Sequence, residues 1–111
     1  MTSEFVHLHN HSDYSLLDGA QKIDQLVNTI DDLNMDAVAL TEHGNMFSVL
    51  PYYKQAKKAG IKPIIGCEIY VAVGSRFEKK TRSDGGWGNN HLILLAQNFT
   101  GYKNLMKLVT A

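Results

Sequence analysis

The sequence has one cysteine, Cys67, so no disulfide can form within the chain. That suits a reducing compartment, where thiols persist. Charge of either sign is not in excess: 11 Lys and Arg balance 11 Asp and Glu. A stand-alone nucleic-acid binder carries a basic surplus, because phosphate contacts dominate its affinity. This chain is therefore not built to grip DNA by itself, and any DNA it meets is held by something else. No apolar run approaches the ~18 residues that would span a bilayer. The opening Met1-Thr2-Ser3-Glu4 has no basic stretch leading into an apolar one, so no secretion signal is expected. A cytoplasmic location with no membrane partner follows as the expectation. Repeats, heptads and linkers are absent as well.

What is present is enough for one modest domain: 111 residues, of which 44% are hydrophobic. Strand and helix signals alternate. Phe5-Val6-His7-Leu8-His9 reads as a short strand. Ile23, Leu26, Val27, Ile30 and Leu33 then recur at helical spacing, with Asp24, Asn28, Asp31 and Asp32 on the opposite face. Asn34 is placed to close that helix. The apolar run Ala37–Thr41 predicts a buried strand. A second helix follows, with Ser48 as its cap, Pro51 in its first turn and Gly60 at its end. Lys62–Ala72 predicts a third strand, Ser75–Asn90 a polar, glycine-rich loop, and Leu92–Ala96 a fourth strand. Thr100 is a candidate cap for a last helix carrying Tyr102, Leu105, Met106, Leu108 and Val109. The order is β-α-β-α-β-β-α, an α/β class with parallel pairing across the helical crossovers. The last helical pattern runs to Ala111 without a stop signal, as expected of a piece of a longer protein.

The chemistry concentrates at strand ends. His9 and His11 are two apart, so on a strand their imidazoles share a side and can hold one cation. Neutral imidazole suits zinc, manganese or iron. A lone His-x-His is more often coincidence than a site, and His7 leaves open which pair would bind. Other candidates stand at similar places. Asp18 lies in the turn after the first strand, His43 after the second, Glu68 in the third, and His91 opens the fourth. Each alone has an ordinary explanation: a helix cap, a packed ring, a solvated strand residue. Together they bring four histidines and two carboxylates toward one sheet edge, where α/β proteins place their sites. His91 reaches that edge only if the fourth strand runs antiparallel to the third. The mixture suits a multinuclear hydrolytic centre, in which carboxylates bridge cations.

Four stretches carry a resemblance: His7–Gly19, Thr41–Phe47, Ala59–Glu68 and His91–Leu105. In fixed order they are similar to the PHP (polymerase and histidinol phosphatase) domain family. The version resembled is the one at the start of bacterial DNA polymerase III alpha subunits. The resemblance implies that residues 1–111 are the N-terminal part of a distorted (β/α)7 PHP barrel. It implies His9, His11, Asp18, His43 and His91 as metal ligands and Glu68 as a bridging carboxylate, with His7 a bystander. It implies divalent Zn or Mn ions, as many as three in a complete domain, and further ligands beyond Ala111. Occupancy in this piece alone would then be partial or absent. Ser48 stands where the family commonly has glycine. The implied setting is a DNA-directed DNA polymerase in DNA replication, partnered by the rest of the alpha chain, replisome subunits and DNA. The metal centre would be a 3′–5′ proofreading exonuclease or phosphoesterase, with no catalytic side chain beyond the ligands themselves. Two alternatives stand beside it: a non-catalytic metal-binding module that braces the polymerase, and a free-standing PHP phosphatase. An unpaired sheet edge also favours self-association of the isolated piece.

Overall fold

A computed structural model describes residues 4–16, 18–78 and 89–111. Its elements are α1 (Ile23–Asp32), β1 (Ala37–Leu40), α2 (Val49–Lys58), β2 (Lys62–Ala72), β3 (Asn89–Leu95) and α3 (Phe99–Thr110). The sheet order is β1-β2-β3. β1 and β2 pair in parallel, Ala37 beside Lys62, across the α2 crossover. β2 and β3 pair antiparallel, as His91 requires to reach the site edge. No described helix is long and apolar enough to cross a membrane.

α1 forms where the apolar spacing predicts it, and Ile23, Leu26, Val27 and Ile30 are all buried. Burying each such side chain is worth roughly 1.5–3 kcal/mol. Leu33, counted on that face, instead lies past the last turn and is half exposed. The stripe joins Val38, Leu40, Tyr52, Ala56 and Ile61 in one core, with Met35 and Ile65 against it. Tyr52 is fully buried and donates its hydroxyl to the Val38 carbonyl; burial pushes its phenol pKa well up.

Both early helices stop as the sequence indicates. Asn34 (φ 55°) and Gly60 (φ 75°) adopt the left-handed conformation. Met35 N–H then bonds to Ile30 O, and Ile61 N–H to Ala56 O. Each closure satisfies carbonyls that the last turn leaves unpaired.

Four local expectations are corrected. Residues Phe5–His9 lie beside β1 but form no regular strand. Ala39 N–H bonds to His7 O, and Thr41 N–H to Asn10 O. The partner thus advances three residues while β1 advances two, and the extra residue breaks the ladder. The Asn10 side-chain amide fills the gap, donating to Ala39 O at 3.0 Å where a backbone N–H would stand. Ser48 does not cap α2: its backbone is already helical and its side chain makes no cap bond. Asn98, not Thr100, caps α3, accepting from Gly101 N–H at 2.9 Å. β3 begins at Asn89, inside the stretch read as loop; residues 79–88 of that stretch lie outside the described residues.

Candidate metal centre

Glu68 is the hub. It sits in β2 beyond the end of β1, where the chain after β1 still runs alongside. An isolated parallel bridge pairs His43 with Glu68. Glu68 N–H bonds to Glu42 O, and Gly44 N–H bonds to Glu68 O, each at 2.9 Å. Gly44 has φ 63°, and any Cβ there would meet the Tyr70 ring at 2.7 Å. Only glycine lets the chain turn at this point and still lie against β2.

The antiparallel register sets His91 opposite Tyr70 and Ile93 opposite Glu68. Opposed residues share a face, so Glu68 and His91 are diagonal neighbours on one side of the sheet. His91 Nδ1 lies 3.4 Å from Glu68 Oε2, and its ring meets Tyr70 edge-on at 5.0 Å.

The remaining donors come from the loop before α1. His9 Nε2 is 2.9 Å from Glu68 Oε1, and His11 Nε2 is 3.9 Å from Oε2. The two Nε2 atoms lie 3.1 Å apart. The loop then turns tightly: Gly19 N–H bonds to Ser15 O at 2.9 Å. A Cβ on Gly19 would lie 1.7 Å from the Ser12 carbonyl oxygen, so the turn admits only glycine. The turn delivers Asp18, whose Oδ2 lies 2.6 Å from His43 Nε2.

Two groups of donors converge to within 4.8 Å: His9, His11 and Glu68, and His43, Glu68 and His91. Glu68 belongs to both. Asp18 belongs to neither; it meets the cluster through His43. His7 is exposed and outside both groups, its ring edge-on to Phe5. His43 Nδ1 and Glu68 Oε2 are buried, face each other, and have no hydrogen-bond partner among the described residues. Buried polar atoms are rarely left so, and a bound ion is one of the few ordinary reasons. Buried carboxylates need hydrogen bonds or a paired charge, and the groups facing Glu68 are imidazoles, which suit a divalent cation. The donors present therefore fit a divalent metal.

His11 is held below the ordinary imidazole value of 6.5, first by burial and then by the neighbouring His43; Glu68 and Asp18 oppose this. A neutral imidazole is the form that binds metal. Burial pushes the Cys67 thiol up. Its sulfur points at the carbonyls of Glu42 and Asn45, so Cys67 packs behind the site and is not a donor to it.

Sequence reasoning missed the layer underneath. Glu42 is buried, and its carboxylate accepts from Ser12 N–H at 2.8 Å, from the Ser15 hydroxyl at 2.8 Å and from the Ser12 hydroxyl. The available signal was its position: an acid that directly continues the buried run of β1 needs internal partners.

The chain resembles known proteins over nearly its whole length. The PHP domain family model matches residues 7–111. The DNA polymerase III subunit alpha of Borreliella burgdorferi is 57% identical over 97% of this chain, that of Treponema pallidum 55% over 94%, and that of Aquifex aeolicus 49% over 99%. The chain spans only 9%, 9% and 10% of those relatives. Among solved structures, an amidohydrolase from Chromobacterium violaceum with bound sulfate and no metal aligns with a TM-score of 0.62 at 21% identity. It covers 92% of this chain and 32% of its own. A protein of Bifidobacterium adolescentis assigned to the metal-dependent phosphoesterases aligns with the same TM-score, 0.62, at 16% identity, covering 96% and 34%. At that identity the likeness is one of fold.

Proposed function

This chain belongs to the PHP domain family, and on that premise we propose that its cluster is part of a divalent-metal phosphoesterase centre in a bacterial DNA polymerase III alpha subunit. The observation that carries the reading is Glu68: one buried carboxylate faced by four imidazoles and shared by two donor groups. A shared carboxylate suits a multinuclear site, where one acidic group could serve two cations.

His9, His11 and Glu68 would hold one zinc or manganese ion, and His43, Glu68 and His91 a second. Asp18 Oδ2 lies 2.6 Å from His43 Nε2, within reach to join the second group as a further ligand. When bound, divalent cations supply positive charge to the oxygens of a phosphoester under attack. The protein residues would fix the ions, with Glu68 placed to serve both groups.

In the polymerase setting, which the relatives at up to 57% identity favour, the substrate would be the 3′ end of DNA. DNA synthesis and its carboxylates would lie in the rest of a longer, cytoplasmic chain. The balanced charge agrees: the remainder of the polymerase, not this region, would hold the DNA. The test is metal-dependent 3′–5′ hydrolysis by the full-length protein and by a His9→Ala, His11→Ala variant. Loss in the variant is expected; equal activity overturns the reading.

The same neutral surface favours one other role, a metal-stabilised brace for the polymerase. Metal binding then couples to folding. Chelation should lower the melting temperature of the intact protein while no phosphoester is cleaved.

A further inference from the structure

We propose that Glu42 and Ser15 set the tautomer of His11, holding its proton on Nδ1 and leaving the Nε2 lone pair free for a cation. Glu42 is 2% exposed. Among the described residues it pairs with no cation; its carboxylate is met by hydroxyls and a backbone N–H. The Ser15 hydroxyl has one proton, and it goes to Glu42 Oε1 at 2.8 Å. Oε1 also accepts from the Ser12 N–H at 2.8 Å, which marks it as the acceptor in this pair.

The Ser15 oxygen is left with two acceptor positions. His43 N–H takes the first at 3.0 Å. His11 Nδ1 faces the second at 3.4 Å. With its only proton committed elsewhere, Ser15 cannot donate to His11, so Nδ1 must carry the hydrogen. Neutral imidazole has one N–H, so Nε2 is then bare. That Nε2 is the atom pointed at His9 Nε2 and Glu68.

Metal-binding histidines commonly donate the other ring N–H to a carboxylate or carbonyl, which orients the ring and raises its basicity. Here the carboxylate would act through a serine. The same hydroxyl also holds the His43 backbone, so one buried acid fixes parts of both donor groups. Glu42 and Ser15 are positioning residues: neither belongs to either donor group.

This inference rests on reading His11 as a ligand, but its first measurement does not involve metal. Two-bond 15N–1H NMR correlations on the folded full-length protein under chelation, at a pH where imidazole is neutral, report which nitrogen is protonated. His11 is expected as Nδ1–H. Ser15→Ala should release the lock and give a mixture of tautomers, and Ser15→Thr should restore it. In Glu42→Gln the amide can donate to the Ser15 oxygen, freeing its hydroxyl to donate to Nδ1, so His11 should move toward Nε2–H. An Nε2–H His11 in the parent chain overturns the proposal, whether or not the variants fold. So does an unchanged tautomer in folded Ser15→Ala. In the second measurement, zinc titration, Ser15→Ala should bind roughly tenfold more weakly, the scale of such outer contacts. If His11→Ala leaves zinc affinity unchanged, the ligand assignment fails while the tautomer result stands.

Discussion

The imidazole of His11 lies flat on that of His43, with ring centroids 3.9 Å apart and planes 7° from parallel. The rings come from different segments, one in the loop before α1 and the other at the end of β1. Burial first, and then His43, disfavours a positive charge on His11, and Glu68 and Asp18 offset this only in part.

Burial of His11, together with that stacking, predicts a pH dependence. The folded His11 pKa lies below 6.5, chiefly through burial. Between the folded and unfolded values the unfolded chain binds more protons, so stability rises with pH across that window. The contribution is complete above the unfolded pKa and is lost as pH falls through the folded one. Urea unfolding with chelator present should show a lower midpoint at about pH 5 than at about pH 7. His11→Gln should lessen the difference.

Glu68→Gln should weaken both donor groups at once. An amide oxygen carries no charge and bridges cations poorly. Zinc or manganese affinity should fall by more than about tenfold, since even outer contacts cost that much. Isothermal titration checks it, and a variant that loses only part of its capacity would show that Glu68 is not shared.

Gly19→Ala should destabilise the chain and displace Asp18. The new Cβ would lie 1.7 Å from Ser12 O, a backbone atom that cannot swing aside. A cost of roughly 1–3 kcal/mol is expected, as for other overpacked sites. Denaturant melts measure it, and a loss within error would mean the turn is loose.

Asn98→Ala should cost about 1 kcal/mol, the usual value of a lost N-cap. Thr100→Ala should cost much less, since Asn98 makes the cap bond. Reversal of that order in thermal unfolding would return the cap to Thr100.

Local signals carried much of this protein. The period of Ile23, Leu26, Val27 and Ile30 sufficed for α1, and the conformational freedom of Asn34 and Gly60 sufficed for two helix ends. The donors of both candidate metal groups were also legible, because few residue types bind metal and these stand near predicted strand ends.

Tertiary structure decided the rest. The failure of Phe5–His9 to form a strand depends on one extra residue against β1, which no alternation pattern records. Asp18 pairs with His43 because the Gly19 turn folds back on Ser12. Glu42 reads as an ordinary charged residue until β1 buries it against Ser12 and Ser15. Periodicity reports how a residue sits on its own element. Which donor meets which acceptor depends on segments about thirty positions apart, and only the folded chain brings those together.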